Sequence, residues 1–348
     1  MPKFQPSNFN FQSDYMEGAH PLILQRLAET NLEKTAGYGS DPYSIQAKER
    51  ICEACECPQA EVQFLVGGTQ TNATVISALL RPCQGVISAD TGHIALHEAG
   101  AIERGGHKVL TIPHSQGKIS AADIDSYIAD FYADANHSHM VMPGMVYLSQ
   151  PTEYGSIYSK AEMKDIHDVC RKHHIPLYVD GARLAYALGS PQNDLSLPDL
   201  ARLADIFYIG GTKCGALFGE AVVMPDPGLI PNFFTVIKQH GALLAKGRIA
   251  GIQFLTLFTD DLYTRLGCHA LSMAEMLKEG LHAKNIPFFF EPPTNQLFVI
   301  LPDSLVYGPD GQAGFCFWEK YDDTHSVVRL ATSWATTPAD INQFLALL

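Results

Sequence analysis

The sequence predicts an α/β protein in which a mostly parallel sheet, covered by helices on both faces, forms a large domain, and a smaller α+β domain follows. Short apolar or β-branched segments alternate with segments of helical periodicity up to about residue 225, a pattern typical of βαβ units. The segments 145–149 and 206–210 are almost wholly apolar, as expected of central strands covered on both faces. From about residue 226 the alternation stops, and this region is predicted to form the smaller domain.

The individual elements follow from apolar periodicity bounded by Gly, Pro or charge. Strands of the large sheet are predicted at Val62–Val66, Gly85–Ser88, Lys108–Ile112, Met145–Ser149, Pro176–Val179, Ile206–Gly210 and Ala221–Met224. Helices are predicted at Tyr43–Cys55, Gln70–Leu80, Leu96–Arg104, Ala121–Tyr132, Ser159–His173 and Ala182–Ala187. For the rest of the chain we predict an interrupted helix in Asn232–Leu257, helices at Leu262–Lys284 and Pro338–Leu348, and strands at Gln296–Leu301, Gly314–Glu319 and Ser326–Thr332. The first 40 residues are polar and predicted to be extended, which gives domains at 1–40, 41–250 and 251–348.

Composition restricts the class of protein. The 348 residues carry a net charge of -13, which disfavours a nucleic-acid binder because phosphate backbones need a basic face. The first twelve residues lack the apolar stretch of a secretory signal, and no apolar run reaches the ~18 residues of a membrane span. We therefore expect a cytoplasmic protein with reduced thiols and no membrane partner. The cluster Cys52, Cys55 and Cys57 could bind a soft metal, but it lacks a matching second ligand pair, so ordinary helix thiols are favoured and no metal is expected.

Residues that follow the predicted strands are informative, because ligands of such sheets bind beyond the carboxyl ends of the strands. After Val66 come Gly67-Gly68-Thr69-Gln70-Thr71-Asn72 and a helix, an arrangement that suits a phosphate, although an ordinary strand-to-helix turn would look the same. Asp180 ends a buried strand and needs a positive partner, either Arg183 or a protonated ring nitrogen. Lys213 follows another strand among small residues and is a candidate for covalent attachment to a carbonyl group.

His93 follows the strand at 85–88, where its flat ring could stack on a flat cofactor. Together, the anion cradle at 67–71, His93, Asp180 and Lys213 provide what pyridoxal 5'-phosphate needs. Its phosphate requires N–H donors, its ring a stacking face, its pyridine nitrogen a carboxylate and its aldehyde a lysine.

The sequence resembles fold-type I pyridoxal-phosphate enzymes, and within them the threonine aldolase and β-eliminating lyase family. The resemblance extends from about Phe11 to the C-terminus, and Asp180-Gly181-Ala182-Arg183 with Lys213 is its most specific part. It implies an aspartate-aminotransferase-like large domain and a homodimer or homotetramer whose active sites are shared between subunits.

The resemblance also implies roles for individual residues. Gly68 and Thr69 would bind the phosphate, His93 would stack on the ring, Asp180 would contact the pyridine nitrogen and Lys213 would bind the aldehyde. Ser13, Arg183 and Arg329 would surround the substrate carboxylate. Tyr38 lies in a segment that reaches the active site, often that of a neighbouring subunit, and Arg248 lies in a basic loop that would bind the cofactor phosphate from a partner subunit. The chain departs from the family pattern at two positions: Glu153 replaces a second histidine, and His97 replaces an aromatic residue.

These features predict a lyase that cleaves the Cα–Cβ bond of a β-hydroxy L-amino acid such as L-threonine. His93, His97, Glu153 or a water molecule could be the base, and His93 acting with water is preferred. Elimination of a β-substituent, racemisation or transamination would use the same Lys213 and Asp180, so these reactions remain open, as does an inactive binding or regulatory relative. A metal hydrolase would need acidic ligands at fitting spacing around the paired histidines of the chain, which are His137, His139, His173 and His174, and nothing fits.

Overall fold

A seven-stranded mixed sheet forms the centre of the computed structural model, which describes residues 10–307 and 314–348. Its strands are β1 (Glu61–Leu65), β2 (Gln84–Ala89), β3 (Val109–Ile112), β4 (Met142–Ser149), β5 (Leu177–Asp180), β6 (Ile206–Gly210) and β7 (Glu220–Met224), in the spatial order β1-β7-β6-β5-β4-β2-β3. All pairs from β3 to β6 are parallel, whereas β7 is antiparallel to both β6 and β1. The predicted mostly parallel sheet is therefore confirmed.

Helices cover both faces of this sheet. They are α1 (Pro21–Glu29), α2 (Pro42–Ala54), α3 (Gly68–Leu79), α4 (His93–Leu96), α5 (Ala101–Arg104), α6 (Ala121–Ala133), α7 (Lys160–Lys172), α8 (Leu184–Leu188), α9 (Leu197–Leu203), α10 (Phe233–Gln239) and α11 (Arg248–Leu257), with a 3-10 turn at His137–His139. Two separate clusters of buried apolar side chains lie against the sheet, as expected when both of its faces are covered.

A second, four-stranded antiparallel sheet follows. It contains β8 (Phe288–Phe290), β9 (Gln296–Pro302), β10 (Cys316–Lys320) and β11 (His325–Ala331) in the order β10-β11-β9-β8. The long helix α12 (Leu262–Ala283), the short α13 (Asp303–Val306) and the final α14 (Pro338–Leu345) complete this region. The predicted α+β region is therefore present, while the domain boundaries at 40 and 250 stay a prediction.

The N-terminal segment differs from its predicted extended form, because α1 lies within it. Pro21 at the first position and the His20 side chain, which accepts a hydrogen bond from the Leu22 amide, start this helix. Upstream, Phe11 is buried against Phe344, with ring centroids 5.1 Å apart, and its carbonyl accepts from the Ala331 amide at 2.8 Å. The segment before α1 is therefore fixed to the small sheet at the end of β11.

The helix predicted at Leu96–Arg104 is also wrong in detail, because it consists of two short helices. Ala99 (φ 52°) and Gly100 (φ 71°) adopt left-handed conformations that end α4 and allow α5 to start. The interruption turns the chain so that Glu98, with only 4% of its surface exposed, points inward. Among the described helices, none combines the length and the apolar character needed to cross a membrane.

Candidate active site

A cleft of about 370 Å³ lies where the carboxyl ends of the parallel strands face the small sheet. Its wall contains six residues that the sequence predicts for the site, namely His93, His97, Glu153, Arg183, Lys213 and Arg329. It also contains four that the sequence analysis did not assign to the site, namely Tyr15, Cys316, Phe317 and Trp318. The fold therefore brings together residues from segments more than 300 positions apart in the chain.

Lys213 lies three residues beyond the end of β6, in a turn between β6 and β7. Burial and the nearby Arg183 charge lower the pKa of its amine, against the opposing effect of Asp14, Asp180 and Glu220. A lysine whose pKa is lowered in this way is more often neutral and therefore a better nucleophile toward a carbonyl carbon.

Asp180 ends β5, the strand beside β6, and its carboxylate is surrounded by donors. One oxygen accepts hydrogen bonds from the Tyr147 hydroxyl (2.7 Å) and the Asn72 amide (3.0 Å), and the other accepts from the Tyr208 hydroxyl (2.5 Å) and the Ala182 backbone (2.9 Å). Burial alone would raise its pKa, but the His93 charge and the side-chain hydrogen bonds lower it. Asp180 is thus held as a carboxylate in the protein interior, able to attract a proton on a bound ring nitrogen.

Gly68 and Thr69 lie in the first turn of α3, as predicted for a phosphate cradle. Gly67 caps this helix without any side-chain hydrogen bond, so the first amides of α3 point outward without a protein cap. A Cβ atom at Gly68 would lie 3.2 Å from the Tyr208 hydroxyl that binds Asp180, which places the cradle beside the Asp180 network.

His93 begins α4 and is held from two directions. Its ring nitrogen Nδ1 lies 2.8 Å from Glu98 Oε1, and its backbone amide donates to Glu153 Oε1 at 2.9 Å. The same oxygen of Glu153 accepts from the Ser149 hydroxyl at 2.6 Å, and burial raises the pKa of Glu153 despite this bond. His97 lies one turn further on, 5.7 Å from His93 between ring centroids, and burial together with the charges of its cationic neighbours lowers its pKa.

Arg183 forms a buried bidentate ion pair with Asp14. Its Nε and Nη2 donate to the two carboxylate oxygens at 2.6 and 2.9 Å, and Asn295 donates to the same carboxylate at 2.9 Å. Burial raises the pKa of Asp14, but the Arg183 and Lys213 charges outweigh it and hold that pKa well below its usual range. Because the Nε–Nη2 edge of the guanidinium is occupied, the two Nη1 hydrogens and the second hydrogen of Nη2 remain for a substrate.

Arg329 lies on β11 opposite Cys316 of β10 and faces the cleft from the small sheet. Its Nη2 donates to the Gln12 carbonyl at 3.1 Å, its carbon Cζ lies 5.7 Å from the centre of the Trp318 ring, and its buried Nε has no partner among the described residues. Ser13, next to Asp14, is buried with its hydroxyl also unpaired in the described part of the chain. An anion in the cleft would find these donors available.

Tyr38 and Arg248, in contrast, do not line the cleft of this chain. Tyr38 lies with its ring beneath the Lys238 ammonium, 4.3 Å away, in a separate small depression. Arg248 donates to the backbone carbonyls of Thr30 and Glu33, at the end of α1. Their predicted roles would therefore require a second subunit and stay predictions.

The buried polar side-chain atoms that lack a protein partner support a bound polar ligand. Among the described residues these atoms belong to Ser13, Thr71, Thr91, Glu98, Glu220, Asn295, Gln296 and Arg329. Except for Glu220, which hydrogen-bonds to Thr212 next to Lys213, each of these residues hydrogen-bonds to a residue of the site, lines the cleft or lies within two positions of a site residue in the chain. Buried groups of this kind are normally satisfied, so their concentration here fits a phosphorylated, polar cofactor.

Several residues of the site were not predicted as such. Asn72, Glu98, Tyr147, Tyr208 and Glu220 form the buried polar shell around Asp180, His93 and Lys213. Tyr147 and Tyr208 could have been found as the hydroxyl-bearing residues within otherwise apolar central strands. Glu98 offered no local signal, because only the break at Ala99 and Gly100 turns it inward. Among the described residues, no group of three or more His, Cys, Asp or Glu side chains is placed to hold a metal ion.

Comparisons with known proteins identify the family of the chain. Residues 10–304 match the family described as Beta-eliminating lyase. The chain is 30% identical over 302 residues to a low specificity L-threonine aldolase of Pseudomonas aeruginosa, which covers 85% of both chains. It is 27% identical over 343 residues to that of a Pseudomonas species, which covers 97% of this chain and 96% of the relative.

Solved structures give the same result. A threonine aldolase from Leishmania major superposes with a TM-score of 0.93 at 44% identity and covers 97% of this chain and 98% of that chain. An aspartate aminotransferase mutant from Thermus thermophilus has a TM-score of 0.71 at 15% identity, covers 99% and 98% of the two chains, and shows the shared fold. The family match spans most of the sequence, including Asp180 and Lys213, and the chain therefore belongs to the β-eliminating lyase family.

Proposed function

We propose that the protein is a lyase of the threonine aldolase type, which cleaves a β-hydroxy L-amino acid such as L-threonine into glycine and an aldehyde. The observation that carries the proposal is the single cleft in which Lys213, two arginines and the His93 ring face one another, with the buried carboxylate of Asp180 behind them. The two curated relatives that cover 85% and 97% of the chain are low specificity L-threonine aldolases, which supports this reaction over the other chemistries of the fold.

Pyridoxal phosphate is the cofactor of this family. When bound, it supplies an electron sink that stabilises the negative charge left on Cα as the Cα–Cβ bond breaks. Gly68 and Thr69 at the start of α3 would hold its phosphate, Asp180 its pyridine nitrogen and Lys213 its aldehyde carbon. The donor-rich surroundings keep Asp180 ionised, so it can retain a proton on the ring nitrogen through the reaction.

The chain's own residues would orient the substrate. Arg329 and Nη1 of Arg183, with Ser13 beside them, would bind its carboxylate and so determine which bond at Cα is aligned for cleavage. His93 is our preferred base for the β-hydroxyl proton, directly or through water. Glu153 and His97 remain alternatives, because both line the same cleft. General-base assistance of this kind contributes roughly 10²–10⁴-fold to a rate.

A direct assay tests the proposal. The purified protein, loaded with pyridoxal phosphate, is incubated with L-threonine, and the products are measured as glycine and acetaldehyde on one side and 2-oxobutanoate and ammonia on the other. We expect the first pair, a visible absorption band in the wild type, and loss of both band and activity in Lys213→Ala. Lys164→Ala, which changes an exposed lysine on α7 outside the cleft, serves as the control. Formation of 2-oxobutanoate instead would assign elimination and refute aldol cleavage.

The proposal includes a homodimer or homotetramer in a reducing cytoplasm. Between residues 10 and 45, large apolar side chains are exposed at Tyr15, Met16, Leu22, Leu24, Leu32, Tyr38 and Ile45, with Leu32 at 92%. So many exposed apolar side chains in one segment favour burial by another subunit. All eight cysteines are unpaired, which suits a reducing compartment. Light scattering gives the mass in solution, and a monomer at assay concentration would contradict shared active sites.

A further inference from the structure

The side-chain amide of Asn72 bridges two buried carboxyl groups. Its Nδ2 lies 3.0 Å from Asp180 Oδ2 and 2.8 Å from Glu98 Oε1, while its Oδ1 accepts from the Tyr178 hydroxyl at 2.7 Å. An amide nitrogen has two hydrogens and can only donate. Both hydrogens are therefore used, and Asp180 Oδ2 and Glu98 Oε1 must both be acceptors.

This arrangement bears on where the proton lies between Glu98 and His93. Oε1 of Glu98 already accepts from Asn72, and the same oxygen is 2.8 Å from Nδ1 of His93. As a carboxylate oxygen it has a lone pair for each of these nitrogens and no hydrogen to give, so the hydrogen in the Glu98–His93 contact lies on Nδ1. The His93 side chain, 32% exposed, therefore turns a free Nε2 lone pair toward the cleft whenever the ring is neutral.

We propose that Glu98 is a positioning residue that holds His93 with its proton on Nδ1, so that Nε2 is the nitrogen that accepts the substrate's β-hydroxyl proton. The inference deepens the proposed aldol cleavage and rests on it for the identity of the substrate. In that step the O–H bond breaks and its proton forms a bond to Nε2. The electron pair left on oxygen forms the aldehyde C=O bond, and the electron pair of the Cα–Cβ bond goes to Cα, where the bound cofactor delocalises it.

The Glu98 carboxylate also stabilises the charged ring that results. Its side chain is fully buried, and its nearest titratable partner is His93. Other titratable groups also face this part of the cleft or lie just beneath it, namely Tyr15, His97, Glu153, Asp180, Arg183, Lys213 and Arg329. Most of them are unchanged by a substitution at Glu98, so a change in pH dependence would report on the Glu98–His93 contact.

The test is Glu98→Leu in the cofactor-loaded enzyme. The introduced side chain has no acceptor, so nothing holds the ring proton on Nδ1, and a neutral imidazole without a partner at Nδ1 carries its proton mainly on Nε2. Nitrogen NMR of protein labelled in its histidines should show His93 protonated on Nδ1 in the wild type and mainly on Nε2 in the variant. We expect kcat for L-threonine cleavage to fall by roughly 10²–10⁴-fold at unchanged KM. The acidic limb of the kcat/KM profile should move to lower pH.

Matched variants separate positioning from folding. Glu98→Gln keeps one acceptor oxygen for both Asn72 and Nδ1 but loses the charge, so it should retain the Nδ1 tautomer and more activity than Glu98→Leu. Glu103→Leu makes the same chemical change at an exposed position of α5 and should behave as wild type. An unchanged tautomer and an unshifted pH profile in Glu98→Leu would overturn the proposal, as would a wild type with its proton on Nε2. If the wild type cleaves no β-hydroxy amino acid, the proposed function fails, while the two tautomers still decide the role of Glu98.

Discussion

The buried pair between Asp14 and Arg183 should make an unusually large contribution to stability. Asp14 is completely buried and the Arg183 side chain is 11% exposed, so solvent screens their interaction little. In the wild type, Asp14 accepts three hydrogen bonds, two from Arg183 and one from Asn295. In Asp14→Asn the negative charge is lost, and at least one of these donors would face an amide hydrogen instead of an oxygen. Removing one partner of such a pair costs about 3–5 kcal/mol.

The corresponding change in melting temperature follows from the chain length. An entropy of unfolding of about 2.1 cal/mol/K per residue over 348 residues is about 0.7 kcal/mol/K, so the loss corresponds to a decrease of roughly 4–7 °C. Calorimetry of the cofactor-loaded protein at pH 7 measures this decrease in melting temperature. Because the pKa of Asp14 is lowered in the folded state, its contribution is complete above about pH 4 and is lost as the pH falls further. The difference between wild type and variant should therefore narrow in acid.

A double-mutant cycle tests the reasoning further. Arg183→Gln alone should also destabilise, because it leaves Asp14 charged and buried. Combining it with Asp14→Asn removes both charges, so the double variant should lose less than the sum of the two single losses. If Asp14→Asn melts within about 1 °C of the wild type, or if the two losses add, the pair does not provide the stability that its burial implies.

Three further perturbations address groups buried around the site. Burial raises the pKa of Glu220 to about 8, so between about pH 4 and 8 the folded state keeps a proton on Glu220 that the unfolded state releases. The free energy of unfolding of Glu220→Gln should therefore increase relative to wild type as the pH rises, by on the order of 1 kcal/mol per pH unit. Melts at pH 5 and 8 measure this, and an equal difference in stability between variant and wild type at the two pH values would contradict it. Tyr208→Phe removes a 2.5 Å donor from Asp180 and should weaken pyridoxal phosphate binding in an absorbance titration by about 1–3 kcal/mol, whereas exposed Tyr132→Phe should have no effect. Thr71→Val removes a buried hydroxyl that has no partner among the described residues, so the cofactor-free variant should melt no lower than wild type while its affinity for the cofactor falls. A lower melting temperature of the cofactor-free variant would show that the hydroxyl stabilises the fold instead.

The sequence was most informative where its signals are local. Each strand of the large sheet lies within three residues of its predicted position, because buried β-branched segments between Gly, Pro and charge are distinctive. His93, Asp180 and Lys213 could be recognised for a similar reason, since each follows a strand and the carboxyl ends of parallel strands meet at one edge. The parallel order then places them in or directly beneath one cleft without further information.

The rest of the site depends on contacts between distant positions. Asp14 meets Arg183 from 169 residues away and Asn72 meets Asp180 from 108, and no periodicity records such distances. Helix α1 was missed for another reason: Leu22 and Leu24 are about half exposed, so its apolar residues do not form the inward stripe that identifies a helix. Tyr38 and Arg248 lie outside the cleft of their own chain. A place in the active site of a second subunit, which a single chain does not show, would explain this.

The attachment of Phe11 to the small sheet has a mechanical consequence. The strand that carries Arg329 is bonded through Ala331 to Phe11, and three residues later the same segment reaches Arg183 beside the large sheet. This short segment, residues 11–14, therefore connects the large sheet to the small sheet at the base of the cleft. Separating the two sheets at that point would pull the Asp14–Arg183 pair out of the protein interior, so we expect substrate and product to exchange where Tyr15 and Phe317 are exposed at the cleft.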